Sequence, residues 1–402
     1  MAERPLSFQG MPRVLIVRGH LATPWELRPW EELAGRFDVS YLRTASNGYD
    51  TSGLSLREVP VGALRDRFPK GRIGEVATGL LRDRYTTDAD AAFASADIVH
   101  SEELSFWFAA DAARRRRAGG NFRLVQTVWE TLPLGFTYRQ RGARKFRDDV
   151  LAATDLFLAA TDRARISLLL EGVPDEKVVV CPPGIDTSRF GAEDRQDRSL
   201  NREHVILSPG RLVWEKGHQD AMRAVALLHR GIVRGPGGET FRPELRIIGS
   251  GPERDRLGSY AEELGISTSV TFESLPYDEM PSAFAQASCL LLGSLPLAAN
   301  GFHPFDIPRI FWEEQFGLVF AEAMAAGLEI ITTSSGAIPE VMQGQGTLVP
   351  AGDYIGMAQA LADGPLQRPA GERVVYPEGL LEDYSAERAA ERLAAAYDRV
   401  LS

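Results

Sequence analysis

Two glutamates eight residues apart, Glu314 and Glu322, bracket Phe316-Gly317-Leu318 and a strong helix-forming run that ends at Gly327. A glycine at the head of such a run leaves the amides of Gly317 and Leu318 at the positive end of a helix, where they suit an anion. Glu322 falls about one turn further in, placed to accept hydrogen bonds from a neutral diol. A second set lies in Ser208-Pro209-Gly210-Arg211-Leu212-Val213-Trp214-Glu215-Lys216-Gly217, directly after an apolar run. Arg211 offers a planar fork and Lys216 a point charge, a combination suited to a diphosphate whose developing charge must be stabilised. Gly249-Ser250-Gly251-Pro252 is a third loop in which a backbone can approach closely. Each has a plain structural reading too: a solvated helix face, a charged surface loop, ordinary turn chemistry.

The elements that must position these loops read as alternating strands and helices. Apolar runs at Arg13–Val17, Asp97–His100, Leu124–Trp129, Leu156–Thr161 and Val178–Cys181 have helical spacing between them, which predicts a parallel sheet covered on both faces. One predicted helix is Trp25–Leu33, started by Thr23-Pro24-Trp25-Glu26. A second series follows at His204–Ser208, Leu245–Ile248, Ser269–Phe272, Cys289–Leu292 and Glu329–Thr332. Asp186–Arg202 is polar and is read as the linker, so the domains are placed at 1–200 and 201–384. Ser385–Leu401 has one apolar helical face. In open parallel sheets ligands bind beyond the carboxyl ends of strands, which points to a cleft between two such domains.

With 402 residues, 44% apolar and 25% charged, the chain has the composition of a folded protein of two domains. A net charge of -10 argues against a nucleic-acid binder. Cys181 and Cys289 have no partners spaced for zinc or a disulfide framework. No secretory leader or membrane-spanning run is read, so a cytoplasmic location is expected. Asp88-Ala89-Asp90 has the spacing of a metal-binding pair, but it follows Thr86-Thr87 at a helix start and is read as structural. The histidines lack metal-ligand spacing, and His20, after the first strand, is the best candidate among them for a ligand contact. Arg114–Arg117 with Arg139, Arg141, Arg144, Lys145 and Arg147 make the N-terminal half locally basic, which leaves peripheral contact with an anionic membrane face open.

Taken in order, Asp97-Ile98-Val99-His100, Pro183-Gly184-Ile185-Asp186, Gly210-Arg211 with Lys216-Gly217, Gly249-Ser250-Gly251, Glu314-x7-Glu322 and Ser335-Gly336-Ala337-Ile338-Pro339-Glu340 resemble family 4 of the retaining glycosyltransferases. The resemblance runs from about Asp97 to the C-terminus and implies the α/β GT-B fold, two Rossmann-like domains facing a cleft, with helix 385–402 returning to the first. It implies a nucleotide-diphosphate sugar as donor and transfer to an acceptor hydroxyl with retention, without metal or other cofactor. Arg211 and Lys216 would bind the diphosphate, Glu314 would face the donor sugar, and Glu322 would hold the ribose. Gly249, Gly251, Phe316, Gly317 and Leu318 would complete the donor site. The acceptor, whether glycan, lipid-linked or small molecule, stays open, as do a binding protein without transfer and a sugar-nucleotide epimerase.

Two departures from the family stand out. Thr127-Val128-Trp129-Glu130 places Trp129 where many relatives have a histidine that hydrogen-bonds the sugar near its primary hydroxyl. Either the donor lacks that group, or Glu130 or His20 takes over the contact, or Trp129 is core. The second departure is Leu295–Phe311, an insertion with Phe302, His303, Phe305 and Phe311, whose aromatics favour an ordered flap in which His303 meets sugar or acceptor.

Overall fold

The computed structural model describes residues 10–68, 74, 78, 81, 83–134, 141–191, 204–299 and 309–402, with the backbone alone at 141–143, 297–299 and 309–311. The chain forms two compact units, Met1–Ile185 with Asp383–Ser402, and Asp186–Glu382.

The first unit is built on seven parallel strands: β1 (Arg13–Ile16), β2 (Asp38–Thr44), β3 (Arg57–Val61), β4 (Ile98–Glu102), β5 (Arg123–Val128), β6 (Leu156–Ala159) and β7 (Val178–Val180). Their order is β3-β2-β1-β4-β5-β6-β7. Every residue of β4 is buried, as expected of a central strand covered on both faces. The order reverses between β1 and β4, so the loops leaving these two strands diverge there and open a ligand position.

The predicted helix Trp25–Leu33 is shorter and split: an α-helix at Pro24–Leu27 passes into a 3-10 helix at Arg28–Leu33. Pro29 is the reason, because it has no amide to donate and its ring meets the carbonyl four residues back. The helix Ala386–Leu401 belongs to this unit. Ser385 caps it by accepting from the Arg388 amide at 3.1 Å. Its buried face inserts Tyr397, whose hydroxyl accepts from Trp30 Nε1 at 2.7 Å and meets His100 Nδ1 at 2.6 Å. His100 Nε2 meets Thr127 Oγ1 at 2.7 Å, so both ring nitrogens are engaged within the fold. Burial holds its pKa well below the usual value.

The second unit has six parallel strands in the order β10-β9-β8-β11-β14-β15. They are β8 (Val205–Pro209), β9 (Glu244–Ile248), β10 (Val270–Glu273), β11 (Cys289–Leu292), β14 (Glu329–Thr333) and β15 (Thr347–Val349). The order reverses between β8 and β11. Part of the 295–311 insertion forms an antiparallel ribbon of β12 (Leu297–Ala299) with β13 (Arg309–Trp312), while Phe302, His303 and Phe305 lie outside the described residues.

The acidic pair and the arginine run both have local partners. Asp88 accepts from the Gly62 amide at 2.8 Å, and Asp90 pairs with Arg115 at 2.5 Å, so the two carboxylates turn to different groups. Arg114 pairs with Asp111, Arg116 with Asp155 and Arg117 with Asp149. Charges neutralised within the fold attract anionic headgroups less than the bare sequence suggests. Among the described residues, no helix is long and apolar enough to cross a membrane.

Candidate active site

At the carboxyl end of β8 the chain turns at Gly210, φ +150°, and runs through Arg211 to a 3-10 turn at Trp214–Lys216. The loop is stitched to the next one: Gly210 N donates to Ile248 O at 2.9 Å, Leu212 N to Ser250 O at 2.9 Å, and Glu253 N to Leu212 O at 3.0 Å. A Cβ on Gly249 would lie 1.9 Å from Gly210 O, and one on Gly251 would lie 2.4 Å from Leu212 O. These two glycines therefore let one loop backbone rest on the other. Arg211 is exposed, and among the described residues its guanidinium has no hydrogen-bond or ion-pair partner.

Beneath this loop lies His218, a residue the sequence reading passes over. Its Nδ1 meets Ser208 Oγ at 2.9 Å and its Nε2 donates to Arg211 O at 3.2 Å, so a buried neutral imidazole fixes the backbone that carries Arg211. Burial, aided by Lys216, brings its pKa down to about 4. Unfolded, the same ring titrates near 6.5, so between these values the unfolded chain binds a proton that the folded chain refuses. Stability is then lost as pH falls from about 6.5 toward about 4, by about 3 kcal/mol from this residue. Buried His100 and half-buried His20 act in the same direction. Urea unfolding from pH 7 to 4.5 should show the midpoint falling, least steeply in His218→Asn; a flat profile would contradict the assignment.

Lys216 is not a free cation. Its Nζ lies 2.7 Å from Glu314 Oε2, which also accepts from Ser294 Oγ at 2.8 Å. The ammonium sits 5.3 Å from the Trp312 ring centroid. Ser294, just past β11, is anchored by Thr333 Oγ1 donating to its carbonyl at 2.5 Å. The main chain of Glu314 is gripped in turn: Ala337 N donates to its carbonyl at 2.8 Å, and Gly336, φ +57°, fits where a Cβ would stand 2.1 Å from that oxygen. The Ser335-Gly336-Ala337 turn is thus the brace that fixes Glu314. An ammonium has three donors, so Lys216 keeps others for a ligand while holding the carboxylate.

Gly317, φ +82°, heads the helix Leu318–Ala325 and packs against the Phe320 ring, while Phe316 is buried beside it. Glu322, buried in that helix, accepts from Tyr277 Oη at 3.3 Å. Burial pushes its carboxyl up to about 7, opposed by the Tyr277 hydrogen bond and by Arg189. Arg189 lies in the segment read as linker, where a short helix, Thr187–Gly191, packs on the helix Leu318–Ala325. Phe190, an aromatic in a polar stretch, is the one signal that could have betrayed it.

In the first unit, Arg65 Nη1 approaches both ring nitrogens of His20, and Trp107 Nε1 donates to Nδ1 at 3.4 Å. Burial and Arg65 bring the His20 pKa down to about 4, so it is neutral and no longer an unengaged loop residue. Trp129 is half-buried; its amide donates to Glu103 Oε1 at 2.9 Å and its side chain hydrogen-bonds Glu102. Glu102 is ion-paired with buried Arg18. Glu130 accepts from the Leu132 amide at 2.8 Å. Carboxyls thus gather beyond β1, β4 and β5: Glu103 is pushed up to about 8 by burial and by Glu130, and Glu26, in the helix Pro24–Leu27, to about 8 by burial and Glu102. His303 lies outside the described residues. Among those described, no three His, Cys, Asp or Glu side chains form a group that holds a metal ion.

Comparison with known proteins gives the family. Residues 31–189 match the model of Glycosyltransferase Family 4, and residues 191–364 match that of Glycosyl transferases group 1. The D-inositol 3-phosphate glycosyltransferase of Corynebacterium jeikeium is 30% identical over 337 residues, 76% of this chain and 73% of that one. The chain belongs to glycosyltransferase family 4. Another family relative, the GDP-mannose-dependent alpha-(1-6)-phosphatidylinositol monomannoside mannosyltransferase of Mycolicibacterium smegmatis, is 29% identical over 281 residues, 64% of this chain. The match spans just under two thirds of that relative's own length, 66%. The family's GT-B fold is seen in sucrose-phosphate synthase from Thermosynechococcus elongatus, which matches with a TM-score of 0.72 at 17% identity over 97% of this chain and 99% of that one. Two Rossmann-like units in this family's order are what the sequence leads one to expect, and the structure has them.

Proposed function

We propose that this family 4 protein transfers a sugar from a nucleoside-diphosphate sugar to an acceptor hydroxyl, with retention at the anomeric carbon and without a metal. The observation that carries the reading is Arg211, exposed at the mouth of β8 and unpaired among the described residues, in the same loop as a Lys216 held by Glu314. Arg211 and Lys216 face the diphosphate, with the amides of Gly317 and Leu318 receiving further negative charge from it. Glu314, its Oε2 occupied by Lys216 and Ser294, presents the rest of its carboxylate to the sugar. Glu322 accepts from the ribose hydroxyls. As the bond from the anomeric carbon to phosphate oxygen breaks, the acceptor oxygen attacks the same face and its proton passes to the departing diphosphate. The cations and the helix amides stabilise the charge that builds there.

The relatives' names mention GDP-mannose, phosphatidylinositol mannoside and inositol phosphate. The deciding experiment supplies UDP-, GDP- and ADP-sugars with and without polyol acceptors, and follows nucleoside diphosphate release and product anomeric configuration. Acceptor-dependent release, a retained configuration and full activity in a chelator are expected. An inverted product, or activity lost to the chelator and restored by a divalent cation, would overturn the mechanism; binding without release would leave a nucleotide-sugar-binding protein.

A further inference from the structure

Glu322 does not stand alone. Tyr277, in the turn Tyr277–Glu279 after β10, donates to its Oε1 at 3.3 Å. Arg189 lies over the Tyr277 ring at 5.0 Å from the centroid, and its Nη2 donates to exposed Asp278 at 2.7 Å. The neighbouring Phe190 is buried edge-on against Tyr277 and Phe284, which fixes the helix Thr187–Gly191 and with it the guanidinium. Among the described residues, Arg189 Nη1 is buried with no hydrogen-bond partner. A buried donor left unpaired is destabilising, a poor choice for a residue whose task is stability alone.

We propose that Arg189 and Tyr277 are positioning residues that hold the Glu322 carboxylate as an acceptor for the paired hydroxyls of a ribose, so that the trio selects ribonucleotides over their 2′-deoxy counterparts. This rests on the reading of Glu322 as the hydroxyl-binding carboxylate. Three segments distant in sequence meet for the purpose: Arg189 supplies a fixed positive charge, Tyr277 one hydrogen bond that sets the carboxylate's rotation, and Glu322 its remaining lone pairs. Besides burial, these two side chains are what bear on the Glu322 carboxyl, and both favour its ionised form. A protonated carboxyl would offer fewer acceptor sites to a diol, so losing either partner weakens hydroxyl recognition without touching the diphosphate contacts.

Calorimetry on the full chain with UDP, GDP and their 2′-deoxy forms tests it at pH 7 and pH 9. The wild type should prefer the ribonucleotide by about tenfold at pH 9, the value of one good hydrogen bond. Arg189→Met should lose most of that preference at pH 7 and regain it at pH 9, where Glu322 ionises unaided, while affinity for the 2′-deoxy form stays near wild type. Arg189→Lys should keep it, and Tyr277→Phe, which removes a single hydroxyl, should reduce it several-fold. If the wild type discriminates and Arg189→Met and Tyr277→Phe discriminate equally well at pH 7, the positioning role is wrong and the Glu322 reading survives. A wild type that does not discriminate overturns both.

Discussion

Replacing Lys216 with methionine is expected to cut transfer by about 10³-fold and to destabilise the second unit by about 3 kcal/mol. The two losses have separate causes. On the proposed reading, transfer suffers because a cation is removed from beside the diphosphate. Stability suffers because Glu314, 5% exposed, keeps its carboxylate but loses the ammonium 2.7 Å away, and Ser294 alone does not balance a buried charge. The sequence reading, which takes Lys216 only as a phosphate ligand, expects no such destabilisation. The double variant Lys216→Met with Glu314→Gln separates the effects, since a neutral amide at position 314 restores most of the stability and none of the activity. Urea unfolding and nucleoside diphosphate release together decide the matter. A single variant as stable and as active as the wild type would sink the assignment of both residues.

Gly217→Ala should be nearly as damaging, although it adds only a methyl group. The residue sits at φ +69°, a conformation that disfavours a side chain, and a Cβ there would stand 1.9 Å from Gly293 O and 2.4 Å from its carbonyl carbon. Both obstacles are backbone, at the point where the loops after β8 and β11 touch across the switch in strand order. Relief requires moving one loop away from the other, which pulls Lys216 off Glu314 on one side and Ser294 off it on the other. A cost of about 3 kcal/mol or more is expected, with nucleotide affinity falling alongside the melting temperature. Gly238→Ala is the control, since a Cβ there meets nothing within 4 Å and shares only the positive φ. Equal behaviour of the two variants would show that backbone strain, and not the loop contact, governs the effect.

The buried strands were legible because runs such as Cys289–Leu292 and Leu156–Ala159 are apolar without interruption and bounded by turns. β2 and β3 escaped notice because Asp38–Thr44 and Arg57–Val61 mix polar with apolar residues toward the sheet edge. Within the candidate site, the charged residues Arg211, Lys216, Glu314 and Glu322 were legible from type and spacing. Those that hold them were not: His218 reads as an ordinary residue at a helix start, Ser294 as part of a loop, and Arg189 as linker. Their work depends on contacts between residues far apart in the chain, such as Arg189 with Tyr277, that no local pattern encodes. Gly249 and Gly251 were read as donor-binding, and their immediate neighbours prove to be the backbone of the Arg211 loop.

The return of helix Ala386–Leu401 to the first unit also has a bearing on how the protein is born. Translation delivers β1 to β7 early, yet the groove lined by Trp30, Phe37 and His100 stays without the Tyr397 side chain until the whole second unit has left the ribosome. During that interval an apolar slot and a half-satisfied histidine face solvent or whatever protein guards nascent chains. The unit made first is therefore the one finished last, and a ribosome that stalls within the second unit leaves its predecessor unsealed.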